Sequence, residues 1–129
     1  MRNIFPTVVI MLCVAAYAAR AGEPQPYDPQ AFAIAQAAGK PILVDVHASW
    51  CPICAKQRPI LASLERTPEL SDLVVFDVDF DSQKDIVRQF GAQQQSTLIV
   101  FKGKSERGRS IGERDLSAIK ALLMTSKSG

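Results

Sequence analysis

The chain is poor in cysteine, with three among its 129 residues, and one of these, Cys13, stands inside an apolar N-terminal run. The other two, Cys51 and Cys54, are separated by only two residues. A small scaffold held together by disulfides needs more cysteines, farther apart in sequence. That class is therefore excluded, and the pair becomes a candidate reactive site.

The chain also lacks a strong excess of either charge. It has 15 Lys and Arg against 13 Asp and Glu, a formal net charge of +2. Two of the positive charges, Arg2 and Arg20, fall in the N-terminal segment, so the remainder is about neutral. Without a basic excess to meet phosphate groups, no nucleic-acid partner is expected.

No apolar run is well suited to span a membrane. The longest, Ile4 to Ala19, is short and is interrupted by Pro6 and Tyr17. With its positively charged start and the small-x-small sequence Ala19-Arg20-Ala21, it resembles a signal peptide. Residues 1–21 are therefore predicted to be cleaved; cleavage two or three residues earlier, and retention as an anchor, are the alternatives. The predicted location is exported, to a bacterial periplasm, because the C-terminus carries no retention signal.

The remaining residues, 22–129, suffice for one compact core. Their patterns predict, in order, a helix over 28–38, a strand over 42–47, a helix over 51–64 bent near Pro59, a strand over 73–80, a helix over 83–90 capped by Asp81-Ser82, strands over 97–101 and 106–111, and a final helix capped by Asp115. Residues 23–27 are predicted to form an extended segment before the first helix. The order predicts an α/β domain with a mixed sheet and helices on both faces.

The two cysteines lie at the boundary between the first predicted strand and the N-terminus of the helix that follows it. Unpaired N–H groups and the helix dipole there favour a thiolate over a thiol. The sequence predicts that Cys51 lies exposed at the helix start and attacks a partner disulfide. Cys54, one turn further in, would then resolve the mixed disulfide.

Around this motif the chain resembles thioredoxin-fold proteins of the exported kind. Matching positions are Asp45, Trp50, Pro59, Gly91, Thr97, Phe101 and Gly112. The resemblance covers nearly all of residues 22–129 and implies a thioredoxin fold with four to five strands. It also implies protein thiol–disulfide oxidoreductase activity with no cofactor beyond the Cys51–Cys54 disulfide. Protein disulfides are the implied substrates, a membrane electron donor the implied partner, and a monomer the expected state.

The resemblance assigns roles residue by residue. Catalytic roles fall on Cys51, Cys54, Asp45 and Trp50, and substrate-binding roles on Trp50, Pro52, Gln95, Ser96 and Thr97. Because Ile53 adds no charge beside the thiols, an extreme oxidant is disfavoured. A reductase or electron carrier is expected, with isomerase and oxidase activity as alternatives.

Two other positions depart from the family pattern. Ser96 stands where the family keeps a cis proline; a cis bond before serine would cost about 3–4 kcal/mol, so a relaxed trans peptide is expected. Asp77 stands where thioredoxins carry a lysine. Either it lies beside Asp45 and raises one carboxyl pKa, or it faces solvent.

The missing proline also motivates a different class of function, a copper- or zinc-binding module. Its ligands would be Cys51, Cys54 and His47, the only histidine. The competing interpretation makes His47 a packed or rim residue with an ordinary hydrogen bond.

Overall fold

The computed structural model describes residues 21–128, which form one five-stranded sheet with helices on both faces. The predicted signal peptide lies almost wholly outside the described residues. The strands are β1 (Gln25–Pro26), β2 (Pro41–His47), β3 (Val74–Asp79), β4 (Thr97–Lys102) and β5 (Ser105–Ile111). The helices are α1 (Pro29–Ala37), α2 (Pro52–Glu65), α3 (Lys84–Gln89) and α4 (Leu116–Met124), with a short 3-10 turn at Pro68–Leu70. Among the described helices, none has the length and apolar character needed to cross a bilayer.

The strand order is β1-β3-β2-β4-β5. Strands β1, β2 and β3 run parallel, and β4 is antiparallel to both β2 and β5. The sheet is therefore mixed, as predicted, with the apolar β2 at its centre and the polar β5 at an edge. The segment 23–27, which was predicted to be extended, contains the short strand β1.

The capping residues predicted from the sequence are confirmed for α1 and α4. The Asp28 and Asp115 carboxylates accept hydrogen bonds from the first turns of α1 and α4. The expected Asp81-Ser82 cap of α3 is wrong, because α3 begins after Gln83 without a side-chain cap. The Asp79 carboxylate instead accepts the N–H groups of Asp81 and Ser82.

Each face of the sheet carries its own core. Helices α1 and α3 cover one face through Phe32, Ala35 and Val87. Helices α2 and α4 cover the other through aliphatic residues, mostly leucine. Successive residues of a strand point to opposite faces, so Val44 and Val46 enter the first core while Leu43 and Asp45 face α2.

Candidate active site

The two cysteines lie at the head of α2, as the motif predicts. Cys51 is the N-cap residue, and its Sγ accepts a hydrogen bond of 3.1 Å from the backbone N–H of Cys54. Both residues are unbonded thiols. A sulfur that receives an N–H at a helix start is placed where negative charge is favoured.

The predicted exposure of Cys51 is wrong. The residue exposes only 3% of its surface, about as little as Cys54. The reason is local packing, because Cys51 and Cys54 form a small cluster with Ala48, against which Ile53 and Phe80 pack. Cys51 is therefore packed into the domain and does not stand free at the helix start.

Cys54 is held as a neutral thiol. Burial, followed by the Cys51 side chain, raises the pKa of Cys54 to about 11, while hydrogen bonds to the backbone of Ala48 and Ser96 work in the opposite direction. These contacts also place the Ser96 backbone beside the thiols. To act as a nucleophile near neutral pH, Cys54 needs a group that takes its proton.

The loop before β4 has the expected trans peptide, but its backbone is not relaxed. None of the described peptide bonds is cis, so the Gln95–Ser96 bond is trans, but Ser96 has φ = +60°. A side chain in this left-handed region costs about 1–2 kcal/mol. The Ser96 carbonyl accepts hydrogen bonds from Gly112 N–H and from the amide of Gln57. The loop is therefore tied to α2 and to the end of β5.

The predicted substrate-binding residues fall into two groups. Ser96 and Thr97 are buried, so they can offer backbone groups but little side-chain surface. Trp50 is 57% exposed, and its indole N–H donates to the Asp81 carboxylate at 2.7 Å. Pro52 is also exposed and Gln95 is half-buried. Trp50 thus offers a broad, oriented apolar surface beside the thiols.

Asp45 and Asp77 lie next to each other, which decides between the two interpretations of Asp77. They are register partners on the parallel strands β2 and β3. Burial, followed by the Asp77 charge, raises the pKa of Asp45 to about 7, and Arg58 opposes the shift. No donor among the described residues reaches its buried Oδ1. Asp45 is thus poised to exchange a proton near neutral pH.

His47 does not join the cysteines. Arg58 Nη2 lies 3.1 Å from His47 Nδ1, and since a guanidinium only donates, Nδ1 is the acceptor in this contact. Among residues 21–128, no three His, Cys, Asp or Glu side chains are arranged to hold a metal ion. The proposed ligand set of His47, Cys51 and Cys54 is therefore not formed.

Three contributors were missed by sequence reasoning: Gln57, Arg58 and Glu65. All lie on α2, on the side that faces the sheet, and Gln57 and Glu65 are buried. The signal was available, because polar residues at these positions share the helical face of buried Cys54 and Leu61.

The fold and the site together define a class of redox-active proteins. These proteins have a mixed sheet with this strand order and a Cys-x-x-Cys pair at the N-terminus of the helix that follows the central strand. The thioredoxin family model matches residues 25–125, and the chain belongs to that family. It is a protein thiol–disulfide oxidoreductase, and thioredoxin-like proteins act on protein disulfides.

Individual relatives agree. The chain is 35% identical to a thioredoxin of Chlamydia muridarum over 82 residues, which are 64% of this chain and 78% of that protein. It is 38% identical to protein disulfide-isomerase tigA of Aspergillus niger over 88 residues, 66% of this chain but 24% of the relative. Among solved structures, Trxlp from Edwardsiella tarda EIB202 has a TM-score of 0.76 and 48% identity, covering 78% of this chain and 98% of that one.

Proposed function

We propose that the protein is an exported reductase or electron carrier for protein disulfides, with Cys51-Pro52-Ile53-Cys54 as its redox pair. The hydrogen bond from Cys54 N–H to Cys51 Sγ is the observation that supports it best. This contact stabilises negative charge on one sulfur and holds the second within one helical turn.

The reaction has two displacements. The Cys51 thiolate attacks one sulfur of the substrate disulfide, forming a mixed disulfide and releasing the other substrate sulfur as a thiolate. Cys54 then passes its proton to Asp45 and attacks Cys51 Sγ. The Cys51–Cys54 bond forms as the second substrate thiolate leaves, so the substrate gains the two electrons that the pair loses.

Substrate docking is assigned to the surface around the pair. Trp50 and Pro52 would pack against an extended substrate segment, and Gln95, Ser96 and Thr97 would present their backbone to it. No cofactor other than the pair is needed, because the two thiols supply both electrons. A membrane electron donor would reduce the pair again after each turnover.

Two cysteine substitutions test the chemistry. Cys51→Ser should lower reduction of insulin to the uncatalysed rate, because it removes the nucleophile. Cys54→Ser should still attack but accumulate mixed disulfides, which mass spectrometry would locate on Cys51. A Cys51→Ser protein that reduced insulin at the parent rate would contradict the proposal.

Export and oligomeric state need separate measurements. Expression of the full chain in a bacterium, followed by fractionation and N-terminal sequencing, should find a periplasmic protein that begins at Gly22. Light scattering should give the mass of a monomer. A full-length cytoplasmic product would contradict the exported role without bearing on the chemistry.

A further inference from the structure

A cavity of about 420 Å³ lies between the sheet and α2, and charged side chains make up much of its lining. Its charged lining residues are Glu23, Asp45, Arg58, Glu65, Arg66 and Asp77. Three carboxyl groups therefore converge from β2, β3 and α2. Asp45 and Glu65 are buried and Asp77 is half-buried. Carboxylates that share such a cavity cannot all stay ionised unless positive charge compensates them.

The cluster holds protons more tightly than isolated carboxyl groups would. Asp45 and Asp77 are direct register partners, and Glu65 approaches from α2. Burial, followed by the Asp77 charge, raises the pKa of Glu65 to about 7, as it does for Asp45. Burial also raises the pKa of Asp77.

Arg58 is the cation that acts on both aspartates. Its charge lowers the pKa of Asp45 and, after His47, that of Asp77, whereas Arg66 acts on Glu65. Arg58 lines the cavity, and its Nη2 is bonded to His47, so β2 fixes the guanidinium at one point. The two cations that line the cavity, Arg58 and Arg66, come from α2 and from its C-terminal cap.

We propose that Arg58 is a positioning residue for the resolving step, anchored by His47 so that its charge keeps Asp45 ionised and able to accept the proton of Cys54. This rests on the proposed function. The proton passes from Cys54 Sγ to an Asp45 oxygen as the Cys51–Cys54 bond forms and the Cys51–substrate bond breaks. Arg58 exchanges no proton and touches no substrate.

The proposal predicts a pH-dependent defect in Arg58→Leu. Loss of the charge should raise the titration midpoint of Asp45 by roughly one pH unit, the low end of the effect of a nearby opposite charge. Turnover at saturating disulfide should then fall about fivefold at pH 7 and less than twofold at pH 9. Arg58→Lys, which keeps the charge, should restore most of the rate at pH 7.

Two readouts separate this effect from a structural one. The first displacement, measured as mixed-disulfide formation in a Cys54→Ser background, should be unchanged by Arg58→Leu between pH 6 and 9. The Asp45 carboxyl, followed by carbon NMR in the reduced protein, should titrate at higher pH in Arg58→Leu. The other charged groups facing the cavity, Glu23 and Arg66, are the same in all variants.

Lys56→Leu is the matched control, because Lys56 is an exposed cation on the same helix and does not line the cavity. Its turnover and Asp45 titration should follow the parent. An unchanged Asp45 midpoint in Arg58→Leu, or an equal shift in Lys56→Leu, would overturn the proposal for Arg58. A Cys54→Ser protein that forms no mixed disulfide would instead overturn the proposed function.

Discussion

The two faces of the sheet are built from different chemistry. Five aromatic rings pack on the α1 and α3 side with neighbouring centroids 5.3–6.2 Å apart: Tyr27, Phe32, Phe76, Phe90 and Phe101. The α2 side combines an aliphatic core with the cavity that holds Asp45, Glu65 and Asp77. Both faces gain stability from apolar burial, but only the α2 face also holds buried carboxyl groups, which cost stability.

Strand β2 contributes side chains to both faces of the sheet. Val44 and Val46 are fully buried in the aromatic-side core, and Asp45 between them faces α2. Because strand side chains alternate between faces, a single strand can serve both. The contrast predicts that substitutions on the two faces will separate folding stability from chemistry.

The largest stability effect is expected on the aromatic face. Phe32→Ala should lower the free energy of unfolding by about 3–5 kcal/mol, because it removes a ring that contacts four other rings and leaves a cavity. Urea unfolding measures this. Turnover per folded molecule should remain at the parent level.

Ile34→Ala on the same helix is the control, since Ile34 is 47% exposed. It should change the free energy of unfolding by less than about 1 kcal/mol. A Phe32→Ala protein as stable as this control would mean that the aromatic face does not carry the stability assigned to it.

Asp45→Asn should change the free energy of unfolding in the opposite direction, by raising it. A carboxyl pKa raised to about 7 by folding means that the native state binds the proton more tightly than the unfolded chain. The stability that this group contributes is therefore fully present below about pH 4 and is lost as the pH rises through about 7. Asp45→Asn should raise the free energy of unfolding at pH 8 by roughly 2–4 kcal/mol, since three pH units correspond to about 4 kcal/mol.

Unfolding curves from pH 4 to 8 test this directly. The parent should lose stability across that range, and Asp45→Asn should lose less, with a remaining slope from Glu65. The variant should also resolve mixed disulfides slowly. An Asp45→Asn protein less stable than the parent at pH 8 would contradict the buried-carboxylate account.

Most of the fold could be predicted from local sequence signals. Asp28-Pro29, the apolar β2 pattern and Asp115 each act over a few residues, and their elements formed where expected. Strand β1 was missed because two residues carry no periodicity; only its pairing with β3 makes it a strand.

The site was less predictable because it depends on contacts between distant segments. Asp81 was expected to cap α3, yet it accepts the Trp50 indole N–H from 31 positions away. Arg58 meets His47 and the cavity only once α2 has packed on β2. The cluster that contains Cys51 likewise includes a contact from Phe80, which directly follows the end of β3.

The smallest effect is expected at Ser96, in the loop beside the thiols. Ser96→Gly removes the side chain from a residue with a left-handed backbone, which should stabilise the native state by about 1–2 kcal/mol. The greater conformational entropy of glycine in the unfolded chain offsets this by about 0.4–1 kcal/mol. The net result should be a stabilisation of about 0.5–1 kcal/mol by urea unfolding. Ser96→Ala, which keeps Cβ, should give no such gain; equal gains in both would rule out the backbone explanation.

The central claim is that Cys51 and Cys54 act together as one two-electron redox pair. Equilibration of the protein in glutathione buffers, followed by alkylation and mass spectrometry, measures both thiols at once. The account predicts that they disappear together in a single two-electron transition near the thioredoxin value of about −270 mV. A transition near −120 mV would contradict the reductase direction, and separate glutathione adducts without a Cys51–Cys54 bond would contradict the pair itself.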